Sequence, residues 1–359
     1  MNKSIKNFFV KNILQYYKQH KRDLPWRDTD DPYKIWISEI ILQQTQVKQG
    51  LNYYLKFIQK FPDIQSLANA KEDEVLHLWQ GLGYYSRARN LHYAAKQIVD
   101  NFEGKFPDHY NDILKLKGIG EYTAAAIASF AYNQPYAVLD GNVFRVLSRF
   151  FGINTPIDTN EGKKQFKELA QSLLPSENSA EYNQAIMEFG ATYCKPQSPN
   201  CNHCVLNKHC TAFLENKVNV LPVKSKKIDK KNRYFNYIIF IEKHQYTYIT
   251  KRQNQDIWQS LYEFYLIDGH NKFLSLKEIT HYLTKNNIHP DSIKIISRQK
   301  HILTHQNLHI QFVRINISHP LPLSNLKKIK LKELPQYPFP VVIQKLINRK
   351  EGDVNQIYK

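Results

Sequence analysis

LKGIGEYTAAAIASFAY, Leu116 to Tyr132, is the stretch from which the first half of the chain is best read. Two glycines stand ahead of a run in which Ala124, Ala125, Ala126 and Ala128 let a helix pack closely against a neighbour. Gly118 and Gly120 free backbone N–H groups from the cover of a Cβ. A helix opening with such groups exposed is a site for an anion. The chain around this stretch carries an excess of cations. Its formal net charge is +18 over 359 residues. That balance suggests a polyanionic partner, with nucleic acid the first candidate. A composition rich in Lys, Asn, Ile and Tyr is the competing source of the charge.

Hydrophobic residues make up 42% and charged residues 23%, the balance of a globular protein with room for two domains. No segment has the length and apolarity of a membrane span. The first residues, MNKSIKNFFVKNILQYYKQHKRDLPWR, are amphipathic and lack both a continuous apolar core and a cleavage site. The expectation is a monomeric cytoplasmic protein.

The first 215 residues read as helical. WISEIILQQTQVKQGLNYYLKFIQKF has apolar residues at helical spacing throughout. EDEVLHLWQGLGYYSRARNLHYAAKQIVDNF reads as two helices about a turn at Gly81 and Gly83. Further helices start at Tyr122, at Asn142, near Thr159 and near Ser179. Residues 216–232 then form a basic, Pro-containing linker. Residues 233–359 read as α+β. RYFNYIIFIEKHQYTYITKR has the aromatic and β-branched content of two strands about a short turn. SIKIISRQKHILTH and NLHIQFVRINIS read as another strand pair, LSLKEITHYLTK and PVVIQKLINRK as helices.

All four cysteines lie between Cys194 and Cys210, with the spacing C-x6-C-x2-C-x5-C. A disulfide framework would spread them through the fold. Their clustering points to a metal centre formed by Cys194, Cys201, Cys204 and Cys210. With only one close pair, the spacing favours an iron–sulfur cluster. A zinc knuckle that borrows His203 or His209 is the alternative.

This cysteine loop, following EFGATYCKPQSPNCNHC, resembles the [4Fe–4S] loop of the endonuclease III superfamily of DNA glycosylases. LKLKGIGEYTA resembles the helix-hairpin-helix of that superfamily, and VLDGNVFRVLSRF its loop with a catalytic Asp. Within it, LPWR (Leu24 to Arg27), WISEIILQQTQV (Trp36 to Val47), GLGYYSRARNL (Gly81 to Leu91) and YNQAIMEFGA are similar to the MutY-type adenine DNA glycosylases. The resemblance is dense over residues 8–215. It implies a mainly α glycosylase domain, residues 1–215, with its cluster loop at 194–210. It implies a Nudix (MutT-like) α+β domain at 233–359. No Nudix box is visible there, so no pyrophosphatase activity is expected.

The chemistry of such an enzyme needs a protonated leaving base and a stabilised oxocarbenium ion, the two-carboxylate logic of a glycosidase. Glu39, flanked by Ile37, Ile40 and Ile41, is the general acid that the resemblance implies. Apolar neighbours would raise its pKa. Its plain alternative is a Glu on a wet helix face. Asp140 is the stabilising carboxylate and also a candidate N-cap, with Asn142 orienting the pair. Tyr122 stands where the strand-cutting relatives carry the Schiff-base Lys, so base release without strand cleavage is expected. Trp26, Arg27 and Gln184 match residues that line the adenine pocket. Gln44, Thr45, Leu82 and Tyr84 match residues that enter the duplex when the base is flipped. Gly118, Gly120, Arg87 and Arg89 are expected at phosphates, with Arg145 and Arg149 as further contacts. The hairpin departs from its usual Leu-Pro-Gly, since Lys117 replaces the Pro. In the second domain, Leu303, Thr304 and His305 stand for the family's Phe-Ser-His loop that reads 8-oxoguanine. The partner implied is duplex DNA with A opposite 8-oxoguanine or G.

Overall fold

The structure, a computed structural model, describes residues 3–225 and 229–348. In chain order its helices are α1 (Lys3–His20), α2 (Pro32–Leu42), α3 (Val47–Lys60), α4 (Ile64–Asn69), α5 (Glu72–Leu78) and α6 (Ser86–Phe102). There follow α7 (Tyr110–Lys115), α8 (Glu121–Tyr132), α9 (Gly141–Phe151), α10 (Asn160–Leu173), α11 (Ser179–Thr192) and α12 (Thr211–Leu214). The strands are β1 (Lys231–Glu242), β2 (Tyr246–Lys251), β3 (Tyr262–Glu263), β4 (Tyr265–Ile267), β5 (Ser292–Ile302), β6 (Gln306–Ile317) and β7 (Lys327–Lys330). Two helices, α13 (Leu276–Lys285) and α14 (Val341–Ile347), complete the set. None of the helices is long and apolar enough to cross a membrane.

The chain divides into two compact units, Met1–Asn69 with Asn90–Lys226, and Ala70–Arg89 with Lys227–Lys359. The division is not a single cut at the linker. Residues 70–89 join the C-terminal unit because their polar groups are used there. Asp73 takes an ion pair from Lys251 at 2.7 Å and a hydrogen bond from Tyr262 at 3.1 Å. Gln80 donates to the Tyr337 carbonyl, and Arg89 to that of Gln259.

The helical unit has a core in which Phe9 and Ile13 of α1 meet Val146 and Phe150 of α9, Phe166 of α10 and Ile186 and Phe189 of α11. A second small cluster forms where Ala125 and Ala126 of α8 meet Val138. The alanine run is buried, as its small side chains suggest. The long helical run from Trp36 is two helices, broken over Gln43 to Gln46. Gln44 sits at φ 55°. Gly50 lets α3 fold back onto α2, because a Cβ there would lie 2.8 Å from Leu42 Cδ2. The apolar spacing continues on both sides of the break, so periodicity alone does not see it.

In the second unit β1 runs parallel to β6 from Lys231↔Gln306 to Glu242↔Ile317, and β5 lies antiparallel to β6. The sheet order is β3-β2-β1-β6-β5, with β4 on β1 and β7 on β2. Residues 235–242 are buried at both parities, as a central strand with both faces covered requires. Ile238 and Phe240 pack with Ile279 and Leu283 of α13. The two strand pairs and both helices read from the sequence are present.

Candidate active site

The helical unit holds a cavity of about 300 Å³. Trp26, Arg27, Glu39, Gln44, Thr45, Tyr122, Asp140, Asn142 and Gln184 all line it, drawn together from five separate stretches of the chain. Helix α2 supplies Glu39. It is capped by Asp31, which accepts from the Tyr33 N–H at 2.9 Å, and has Pro32 at its first position. Its residues Tyr33 to Ile41 other than Lys34 are buried, so Glu39 has no wet face to occupy.

Burial raises the Glu39 carboxyl to about 7, with the Asp140 charge adding to the rise. A hydrogen bond from the Tyr122 hydroxyl to Oε2, at 2.7 Å, works in the other direction. The tyrosine is itself held neutral by burial and by these two carboxyls. Asp140 is the N-cap of α9. Its Oδ1 accepts from the N–H groups of Asn142 (2.9 Å) and Val143 (2.7 Å), and its Oδ2 from Asn142 Nδ2 (2.7 Å). Burial raises this carboxyl too, but three N–H donors oppose the rise. The two carboxyls thus differ in what surrounds them. One is desolvated with a single donor, and the other is braced by three.

Asn142 is held in turn. Its Oδ1 accepts from Arg145 at 2.9 Å, and the same guanidinium donates to the carbonyls of Gly190 and Cys194. Arg149 donates to the carbonyls of Lys195, Pro196 and Leu221. Arg145 and Arg149 are 9% and 3% exposed, so the expectation of phosphate contacts is corrected for both. They hold the cysteine loop instead.

Two cavity residues escaped sequence reading. Glu188, with its side chain fully buried, accepts from Arg22 Nε (2.7 Å) and Nη2 (2.6 Å) and from Arg27 Nη2 (2.6 Å). Burial opposes its charge, but the two arginines prevail and bring the carboxyl down to about 2. Glu188 lies inside the quoted block YNQAIMEFGA and Arg22 two residues before LPWR. An acid amid apolar residues and a cation upstream of Trp26 were the available signals.

The hairpin ahead of α8 has Gly118 at φ +79°, and a Cβ there would lie 2.6 Å from Asn90 Cβ. Gly120 opens α8 with no side-chain cap. Lys117, in place of Pro, keeps an N–H that donates to Gln97 Oε1 at 2.8 Å. A proline, which has no N–H, could not make that bond.

The four cysteines are free thiols around one largely apolar cavity. Arg149 Nη1 lies 3.5 Å from Cys194 Sγ, and the Leu206 N–H lies 3.4 Å from Cys204 Sγ. Burial and the neighbouring thiols push Cys204 up to about 12, so a thiolate at Cys204 requires a cationic centre beside it. Among the described residues no three His, Cys, Asp or Glu side chains converge as a single metal ion would require. His209 packs edge-on against Phe8 at 4.7 Å, and His203 faces Asn200. Neither histidine lines the cysteine cavity. Four thiols about one cavity are a donor set that fits a sulfur-ligated metal centre.

The second unit has its own cavity of about 330 Å³, lined by Tyr84, Arg89, Trp258, Leu303, Thr304 and His305 among others. Tyr84, at φ 47° and 45% exposed, shares a hydrogen bond between its hydroxyl and Thr304 Oγ1. Leu82 is buried. The Arg87 guanidinium lies 5.3 Å from the Trp79 ring and 5.7 Å from that of Tyr84, and burial lowers it to about 10. Arg89 is engaged by both oxygens of Gln259.

Residues 37–175 match the HhH-GPD superfamily of base excision DNA repair proteins, and residues 236–349 match the NUDIX domain. The chain is similar in fold to a thermostable thymine-DNA glycosylase, with TM-score 0.55 and 31% identity over 59% of this chain and 98% of that one. It is similar also to endonuclease III in a non-covalent DNA complex, with TM-score 0.53 and 19% identity over 60% of this chain and 98% of that one. An adenine DNA glycosylase of Buchnera aphidicola subsp. Baizongia pistaciae is 39% identical over 323 residues, 89% of either chain. With that identity over nearly the whole of both chains, and with both domains matched, this chain belongs to the adenine DNA glycosylase family and is an enzyme.

Proposed function

We propose that the enzyme hydrolyses the bond between adenine and deoxyribose in duplex DNA, at adenine opposite 8-oxoguanine or G, and leaves the strand uncut. The observation that carries this reading is Glu39, buried in a cavity it shares with Asp140 and raised to about 7. At neutral pH about half of it still carries a proton to give to the leaving base, which departs poorly as an anion. Asp140, braced by three N–H donors, offers its charge to the oxocarbenium sugar. Trp26, Arg27 and Gln184 bind the flipped base, and Gln44 and Thr45, at the mouth of the same cavity, meet the duplex it has left.

Among the described residues that line the cavity none is a lysine. With Tyr122 hydrogen-bonded to Glu39, no amine is at hand to form an imine with the sugar. The hairpin at Gly118 and Gly120 receives a phosphate. In the second unit, the Tyr84–Thr304 pair and His305 read the base opposite the adenine. Thr304 keeps the hydroxyl such a contact needs. Cys194, Cys201, Cys204 and Cys210 hold a [4Fe–4S] cluster, which orders the loop at 194–210. The enzyme acts in the compartment that holds the DNA.

A single-turnover assay on a duplex with A opposite 8-oxoguanine tests this. The expected result is adenine release with strand breaks only after alkali. A parallel duplex carries thymine glycol. Cutting of that strand without alkali would overturn the reading in favour of a glycosylase with lyase activity.

A further inference from the structure

Gln184 lines the cavity, and its carboxamide has one polar end taken. The Tyr17 hydroxyl, on α1, donates to Gln184 Oε1 at 2.7 Å. Tyr17 is 6% exposed and does not itself line the cavity. Its ring lies 5.6 Å from the Arg27 guanidinium, whose charge draws electron density from the phenol and strengthens it as a donor. Arg27 is fixed in turn by the Glu188 carboxylate at 2.6 Å and the Arg22 carbonyl at 3.0 Å. Burial raises the Tyr17 hydroxyl, so it keeps its proton across the working range.

An amide whose oxygen is held by a phenol presents its NH₂ to the other side. Glu188 cannot compensate for a reversed amide. Its two oxygens already accept four hydrogen bonds from Arg22 and Arg27, which fills a carboxylate. We propose that Tyr17 is a positioning residue that sets the sense of the Gln184 amide, so that the cavity offers N–H to N1 or N3 of the base. A base with a C–H or N–H in that place meets a donor head-on. A site built on such a hydrogen bond rejects the wrong partner far more strongly than a shape match does. Without the Tyr17 hydroxyl the amide turns freely, and half of its orientations present oxygen.

The inference rests on the adenine reading, and its test separates the two. Single-turnover release is measured from duplexes with adenine, 1-deazaadenine or 3-deazaadenine opposite 8-oxoguanine, each analogue having C–H for one ring nitrogen. The wild type is expected to lose about tenfold or more in rate on one analogue, the worth of about one hydrogen bond. In Tyr17→Phe this loss shrinks by about twofold or more, and in Tyr17→Phe with Gln184→Ala it falls to less than about threefold. Replacing Tyr17 with 4-aminophenylalanine, which keeps a donor, restores the discrimination. That rescue also serves if Tyr17→Phe proves unstable. Full discrimination in Tyr17→Phe, or equal wild-type rates on all three bases, would overturn the inference alone. A wild type that releases no adenine would overturn the reading beneath it, and this inference with it.

Discussion

At the scale of single residues, the proposed chemistry depends on the proton at Glu39. Its carboxyl, raised to about 7 by burial, is a general acid only while protonated. Release should therefore slow as pH rises through about 7. Tyr122→Phe removes the hydrogen bond that favours the carboxylate, so the fall should move to higher pH by up to about one unit. Glu39→Gln should cost about 10²–10⁴ in rate. The same shift has a consequence for stability with a definite sign. A group raised on folding holds a proton that the unfolded chain releases, so its contribution is complete below about 4.5 and is lost as pH rises through about 7. Glu39→Gln should lose activity yet gain on the order of 3 kcal/mol relative to the wild type at pH 8. Melting curves at pH 5 and pH 8 check this. A variant no more stable than the wild type at pH 8 would mean that Glu39 is not strained by burial. Glu188 carries the opposite sign. Its carboxyl, brought down to about 2, stabilises the fold above its unfolded pKa and ceases to as pH falls toward 2.

At the scale of elements, the proposed catalytic pair depends on how closely α9 and α11 approach. Gly190 of α11 faces Asn142 at the start of α9. A Cβ added there would lie 2.7 Å from Asn142 Cβ and 3.0 Å from its carbonyl oxygen. Both are rigid parts of the helix opening that Asp140 caps. Gly190→Ala should therefore cost about 1–3 kcal/mol in stability. It should also slow base release by about tenfold, because Asn142 can no longer hold Asp140 Oδ2 at 2.7 Å. A thermal melt and a single-turnover rate on the same sample measure the two effects. An unchanged rate beside a lowered melting point would show that the seat of Asn142 does not depend on this approach. The break between α2 and α3 belongs to this scale too. The left-handed turn at Gln44 falls where Gln44 and Thr45 line the cavity.

At the scale of the whole molecule, the chain passes from one unit to the other and back before the linker is reached. Residues 70–89 depend on partners that come more than 150 residues later, among them Lys251, Gln259, Thr304 and Tyr337. A fragment that ends at residue 225 removes all four. Amide exchange across α5 and the turn to Tyr84 should then quicken at least about tenfold, whereas α9 and α11, whose core lies in the helical unit, keep their protection. Equal protection of α5 in fragment and full chain would mean that these side-chain bonds add nothing to its stability.

Much was legible from the sequence because it rests on local rules. Helix openings at Asp140 and Thr159 follow from capping chemistry, and the strands at 231–242 and 306–317 from aromatic and β-branched content. The four-cysteine spacing and the Tyr at 122 are readable as they stand. The C-terminal residues 349–359 read as part of the last helix and beyond lie outside the described residues. What the tertiary structure alone decided are properties made by groups far apart in the chain. The pKa of Glu39 comes from burial and from Tyr122 and Asp140, 83 and about 100 residues away. The pairing of Glu188 with Arg22 and Arg27 spans more than 160 residues, and a lone acid among apolar neighbours does not announce it. Arg145 and Arg149 read as surface cations until the fold buries them against the cysteine loop. The physical reason is common to all three. A charge is read locally as solvated, and only the packed structure says which charges have lost their water and what replaced it.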